Sequence, residues 1–318
     1  MPVFETVFMF SGQGSQYFQM GKALFDTNDT FRSWMQRLDA VAQRTIGRSV
    51  IESLYSAERS KGDVFDRTLL THPAIFMVEY SLAQALIHAG LRPDSVMGVS
   101  LGSFAAAAVA GFVDVDDAMT AVVRQATAFE ANCAPGGMIA VMADPAMFEE
   151  DFICRRSELA AVNFSSHFTV SAQAADLAAI EAELKRRDLT HVRLPVSFAF
   201  HSRWVDQAEA SFTAFARTVA LRPGRLPMAC CERAATLWEL PDLFFWDVAR
   251  RPIRFRETVA ALELQGPRRY IDIGPAGTLA TFLKYLLPAT SASSMHAVLT
   301  PYGHDQRNLT ALLAAVGR

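Results

Sequence analysis

The tightest constraint on this chain is one short turn. Gly98-Val99-Ser100-Leu101-Gly102 lies between an apolar run, Ser95-Val96-Met97, and an alanine-rich stretch over residues 103–110. A GxSxG turn from strand to helix is sterically demanding: the serine sits on strained backbone, and glycines two before and two after make room for it. The turn exposes the hydroxyl and sets it at a helix N-terminus, where backbone N–H groups face developing negative charge. The pattern alone is common by chance, and a helix N-cap serine looks the same. The strand before and the helix after favour an elbow and make Ser100 a candidate nucleophile, with the N-cap reading still open.

A serine nucleophile needs a base. Among the seven histidines, His201 sits in the apolar loop Phe198-Ala199-Phe200-His201-Ser202, and His72 at an expected helix start, Thr71-His72-Pro73. Spacing does not separate these two, and either can be a structural imidazole. His88 falls at a helix C-terminus, where the dipole accounts for it; His296 and His304 lie in the tail. A lipase-like order would draw on Asp151 or Asp188 to orient the base. Both fall in a separate unit, which argues against an ordinary lipase or esterase triad.

The rest of the chain reads as α/β. A strand over 3–10 runs into Ser11-Gly12-Gln13-Gly14-Ser15-Gln16, with a helix after it. The spacing predicts helices over 73–89, ended by Gly90, and over 114–130. Residues 134–195 form their own pattern: strand 137–143, helix 145–152, strands 159–164 and 168–172, helix 174–187, strand 191–194. That βαββαβ order is ferredoxin-like. It reads as an insertion, because a loop at 197–202, a helix over 204–219, a strand at 270–273 with its Gly274-Pro275 turn and a helix over 278–287 follow.

Composition removes several classes. With 30 Lys+Arg against 33 Asp+Glu the net charge is −3, unlike a dedicated nucleic-acid binder. Hydrophobic residues at 51% and charged residues at 20% exclude disorder. No apolar run reaches the roughly 18 residues of a membrane span, and the first ten residues carry Glu5 and no basic n-region, unlike a signal peptide. Cys133, Cys154, Cys230 and Cys231 make no CxxC pair, which suits a reducing cytoplasm. No metal site or redox cofactor is suggested.

Three blocks together go beyond periodicity: Phe10-Ser11-Gly12-Gln13-Gly14-Ser15-Gln16, the Ser100 turn, and Ala199-Phe200-His201-Ser202. In this order and spacing the chain resembles the malonyl-CoA:acyl-carrier-protein transacylases and polyketide synthase acyltransferases. Arg251-Pro252-Ile253 and Gly274-Pro275-Ala276-Gly277-Thr278-Leu279 match the C-terminal blocks of that family. The resemblance implies an α/β-hydrolase-like catalytic domain over 1–133 and 196–318 with a parallel sheet, and a ferredoxin-like subdomain over 134–195. It implies Ser100 as nucleophile, His201 as its base, and an oxyanion hole from the backbone N–H groups of Gln13 and Leu101. It also implies a main-chain carbonyl, in place of an aspartate, to orient the histidine; counted back from Arg251-Pro252, that is Val248. His72, Gln125, Phe200 and Asn163 are the implied substrate-binding positions. Phosphopantetheine or CoA would arrive as part of the substrate.

The departures from the family matter most. Malonyl-specific members hold the substrate carboxylate with an arginine on the helix after the elbow. Counted without gaps from Ser100, that place is Gln125. Arg124 is one residue short, a rotation of about 100° on a helix, unless the helix slips by one residue. A buried carboxylate without its partner loses about 3–5 kcal/mol, roughly two to four decades against malonyl. His72 stands where the family usually has Gln, and Ser103 where it has Glu. Phe198-Ala199-Phe200-His201, by contrast, resembles the malonyl-type loop. On balance the chain is similar to stand-alone acyl hydrolases of trans-acyltransferase polyketide pathways. The expected function is cytoplasmic hydrolysis of acyl chains from acyl carrier protein through an acyl-Ser100 ester. The alternatives are a malonyl transacylase and a catalytically silent docking module. An acidic carrier protein would dock on Arg250, Arg251, Arg254 and Arg256, or on Lys185, Arg186 and Arg187, though such runs are also ordinary solvated faces.

Overall fold

The computed structural model describes residues 4–316, so Val3, with which the first expected strand begins, lies outside the described residues. Ten strands within them form two sheets: β1 (Glu5–Phe10), β2 (Ser95–Gly98), β3 (Gly136–Val141), β4 (Glu158–Phe164), β5 (His167–Gln173), β6 (His191–Arg193), β7 (Met228–Cys230), β8 (Ala235–Leu237), β9 (Arg268–Asp272) and β10 (Ser294–Ala297). The larger sheet runs β10-β9-β1-β2-β7-β8. It is parallel throughout except for the β7–β8 pair at its edge.

A parallel sheet is buried on both faces, so its strands read as continuous apolar runs. β1 shows why. Phe8 and Phe10 enter the core on one face, and Val7 and Met9 the core on the other, as the two-residue period of a strand requires. Helix Gly102–Ala110 lies against β2 with all nine of its residues buried, and its alanines allow that close approach.

The smaller sheet is antiparallel, in the order β4-β5-β3-β6. Strand order and connections are those of a ferredoxin-like unit. One face packs Ile139, Val141, Phe168 and Val170 against Leu177, Ile180 and Leu184 of helix Ala174–Arg186. The unit leaves and rejoins the main body at one place, where Gly136 N–H donates to Ser197 O at 3.0 Å.

Three expected helices differ in the structure. The helix expected over 73–89 spans Thr68–His88 and holds Pro73 inside it. Proline near a helix start forfeits only one hydrogen bond, and the freed N-terminus has other partners: Leu69 N–H donates to the Glu130 carboxylate at 2.8 Å. At the other end Gly90, at φ 93°, follows the last helical turn. Its N–H meets Ile87 O at 3.1 Å and the Leu91 N–H meets Leu86 O at 3.0 Å, the paired closure that a left-handed glycine permits. The segment expected as one helix over 204–219 is a 3₁₀ turn, Arg203–Ala208, followed by helix Glu209–Ala216. The segment at 145–152 is likewise a 3₁₀ turn, Pro145–Glu149, and a short helix, Asp151–Cys154.

Candidate active site

The elbow forms as its glycines predict. Ser100 has φ +53°, a left-handed conformation that a non-glycine residue adopts only when its surroundings enforce it. A Cβ on Gly98 would meet Ser103 Cα at 2.5 Å, and one on Gly102 would meet Phe10 O at 2.2 Å. Both contacts are backbone, so neither gives way. A Cβ on Gly12 would meet Ser100 Cβ at 2.9 Å, so the loop after β1 can lie against the elbow only with glycine there.

That loop is tied down residue by residue. Glu79, fully buried in helix Thr68–His88, accepts from the Ser11 N–H at 2.6 Å and the Ser11 hydroxyl at 2.9 Å. Ser15 Oγ donates to Gly12 O at 2.8 Å. Gln16 accepts from Gly14 N–H at 2.7 Å and donates to Phe65 O at 2.9 Å and Pro195 O at 2.8 Å. Burial drives the Glu79 carboxyl well above the usual range against the pull of the Ser11 hydrogen bonds. Asp272, at the end of β9, is pushed up to about 6 by burial and accepts from Gly274 and Ala280 N–H groups. Neither acid is singled out by sequence pattern, although Glu79 is the one carboxylate in the apolar stretch 73–89, a usable signal.

His201 lies 2.8 Å from Ser100, Nε2 to Oγ. Its other ring nitrogen, Nδ1, lies 2.7 Å from Arg251 O. A carbonyl only accepts, so Nδ1 carries the proton and Nε2 presents a lone pair to the serine hydroxyl. Burial lowers the His201 pKa to about 4, opposed by the Arg251 hydrogen bond and assisted by the Arg250 charge. The imidazole is therefore neutral at physiological pH and competent as a base.

The orienting carbonyl is Arg251 O and not that of Val248. Val248 sits inside helix Phe244–Arg250, with its carbonyl aligned along the axis. Pro252 has no N–H with which to extend the helix, so Arg251 turns to extended backbone at φ −86°, ψ 153° and its carbonyl swings to the imidazole. Two residues earlier, Ala249 O accepts from the His201 N–H at 2.9 Å. Phe200 O accepts from the Ser171 hydroxyl of β5, fixing the same loop from the small sheet. Asp151 and Asp188 have no part here: Asp151 pairs with Arg155 on the surface, and Asp188 is exposed.

The backbone N–H groups of Gln13 and Leu101 have no hydrogen-bond partner among the described residues. The Gln13 side chain is turned away, donating to Thr71 Oγ1 at 2.7 Å.

A cavity of about 130 Å³ opens beside Ser100 and His201. The loop after β1 and the elbow form one wall. The small sheet forms another, with Met138, Ala140, Ala161, Asn163, His167 and Thr169; Phe200, Ile253 and Phe282 complete the apolar lining. Among the described residues lining it there is no lysine or arginine.

The expected substrate positions divide. Phe200 and Asn163 line the cavity; His72 and Gln125 do not. His72 lies behind Phe200, ring centroids 5.5 Å apart, and burial lowers its pKa to about 3. Gln125 is buried, its amide donating to Phe245 O at 2.7 Å. Arg124 is exposed and lies over the Phe215 ring at 5.7 Å, so the helix shows no one-residue slip. Among the described residues no helix is long and apolar enough to cross a membrane.

A serine on a strained elbow, a neutral histidine held by a backbone carbonyl and two unspent N–H groups on an α/β sheet define a serine acyl-transfer class of protein. The chain belongs to the acyl transferase domain family, whose model matches residues 7–318. It is 44% identical over 304 residues to the polyketide biosynthesis acyltransferase homolog BaeD of Bacillus velezensis, covering 95% of this chain and 94% of that one. It is 40% identical over 304 residues to the homolog PksD of Bacillus subtilis, with the same coverage. The loading acyltransferase of the avermectin modular polyketide synthase superposes with TM-score 0.88 at 26% identity, covering 98% of this chain and all of that one. An enzyme of acyl thioesters follows from the family.

Proposed function

We propose that the protein removes acyl chains from acyl carrier protein in polyketide biosynthesis, by forming an acyl-Ser100 ester and hydrolysing it. Ser100 Oγ attacks the thioester carbonyl carbon as His201 Nε2 takes the hydroxyl proton. The oxyanion is received by the N–H groups of Gln13 and Leu101. The C–S bond then breaks, and the thiol leaves with the proton from His201. Water attacks the ester with His201 again as base, giving the carboxylic acid and restoring Ser100.

The observation that carries the neutral-chain reading is the position of Arg124, and the hydrolytic step rests on the resemblance to stand-alone acyl hydrolases. Its guanidinium is on the surface against Phe215, and the neighbouring Gln125 amide is engaged with Phe245 O. A malonyl carboxylate in this apolar cavity would be a buried charge without a partner, whereas an uncharged chain carries no such penalty. The names of the two Bacillus relatives support a polyketide setting. For an acidic carrier protein the favoured dock is the cluster at Arg250–Arg256. Arg250 pairs with Asp206 and Arg251 with Asp247, but Arg254 and Arg256 are exposed and lack carboxylate partners among the described residues, and Arg251 itself supplies the carbonyl that anchors His201. At the rival cluster Arg186 and Arg187 are already paired with Glu183 and Glu150.

The test offers purified protein malonyl-CoA and butyryl-carrier protein, and follows the Ser100 adduct by intact mass and the free acid by chromatography. The expected result is butyryl labelling and release, exceeding malonyl labelling by roughly two to four decades. Rapid malonyl labelling followed by transfer to carrier protein overturns the reading in favour of a transacylase. Full function in Ser100→Ala overturns it in favour of a docking module.

A further inference from the structure

The small-sheet wall is mostly apolar, yet Asn163 and His167 stand on it side by side. Their place is set by the β4–β5 hairpin: Ala161 and Thr169 pair across the strands and line the cavity, the register of β4 shifts between the Val162–Phe168 and Phe164–His167 pairs so that Asn163 stands unpaired on the same wall, and Phe168 enters the subdomain core. Asn163 Nδ2–H donates to His167 Nδ1 at 2.9 Å. A ring nitrogen that accepts carries no proton, so the proton of the neutral imidazole is on Nε2. Burial lowers the His167 pKa and favours that neutral form. The Phe164 and Phe282 rings, each with its centroid 5.1 Å from the imidazole, hold it on two sides. His167 Nε2 has no partner among the described residues, nor is it one of their fully enclosed, unpaired atoms. It is a preset donor with access to the cavity.

We propose that the His167 Nε2–H, aimed by Asn163, is a specificity-determining donor selecting thioesters with an acceptor oxygen beyond the reacting carbonyl. A single polar group in an apolar pocket fixes orientation, and a site built around it rejects analogues that lack the matching atom. That oxygen is either a hydroxyl or keto group of the acyl chain or an amide carbonyl of the pantetheine arm. The inference rests on acylation of Ser100, and not on water as the second acceptor.

The test uses four thioesters: butyryl and 3-hydroxybutyryl, each on pantetheine and on methanethiol, with Ser100 acylation read by intact mass. His167→Phe keeps an aromatic ring between Phe164 and Phe282 but removes the donor. A loss of about fivefold or more confined to the 3-hydroxybutyryl pair, and largely restored in His167→Gln, places the oxygen in the acyl chain. A similar loss confined to the two pantetheine thioesters places it in the arm. No loss, or an equal loss on all four including butyryl methyl thioester, overturns the proposal. If His167→Phe does not fold, Asn163→Leu, which frees the ring, reads the same ratios. If wild-type Ser100 takes no acyl group, the functional reading fails. Calorimetry on Ser100→Ala and Ser100→Ala/His167→Phe with the amide analogue of 3-hydroxybutyryl-pantetheine then decides: binding weakened about fivefold or more upholds the donor, and equal binding overturns it.

Discussion

On one side of the cavity the backbone is forced; on the other it is ordinary. Ser100 and His201 both have left-handed φ, +53° and +60°, and glycines at 12, 98 and 102 allow no added atom. The small-sheet wall is pleated strand without left-handed backbone, its register shifting twice along β4, and Ala140, Ala161 and Thr169 form one cross-strand row on it. Strained backbone persists only where its surroundings over-determine it, so the first wall holds reacting atoms in one place. A pleated wall presents side chains at fixed intervals and tolerates exchange among them. Chemistry sits on the wall that cannot change, and selection on the wall that can.

The sharpest way to break this contrast is to add a little bulk to each wall, one methyl group to the first and two to the second. Gly102→Ala brings a Cβ onto Phe10 O, which is 2.2 Å away. The elbow must shift, and a displacement near 1 Å lowers turnover by about 100-fold; Ser100 acylation kinetics on the folded variant measure it. Ala140→Val, in the cavity lining, leaves acetyl acylation nearly unchanged and shifts the acetyl-to-hexanoyl ratio by about tenfold, measured by competition between the two thioesters. Equal damage from both substitutions would erase the distinction between the walls.

A smaller effect sharpens the picture of the forced wall as dry. The His201 pKa is lowered from 6.5 to about 4 by burial. The base must be neutral, so acylation should stay level from pH 8 to about 5 and fall below about 4, roughly tenfold per unit. The unfolded chain binds this proton more readily than the folded one, so stability falls as pH drops from 6.5 toward 4. An acid limb near 6.5 in the rate profile would show the ring to be solvated.

Much of this is legible in the sequence where the rule is steric or periodic. The GxSxG glycines announce an elbow because nothing larger fits, and the βαββαβ order of 134–195 follows from alternation. The anchor of His201 is illegible for a physical reason. A main-chain carbonyl has no side-chain signature, and whether Val248 or Arg251 supplies it depends on where the helix before Pro252 stops. The start of helix Thr68–His88 is obscured because proline reads as a first helical residue even when, as Pro73, it lies in the second turn. Glu79 meets Ser11 across 68 residues of chain, and His167 acquires its meaning only when the small sheet folds over Ser100. Such pairings belong to the tertiary structure: Glu79 stands out as the lone carboxylate of its apolar stretch, but nothing local names its partner.

The hydrogen bond between Gly136 and Ser197 means that the whole excursion departs and returns through one gate. Two cuts would therefore exchange the small-sheet wall as one piece, provided that its replacement remakes the bonds from Ser171 to Phe200 O, from Gln16 to Pro195 O and from Ile253 N–H to Ala160 O.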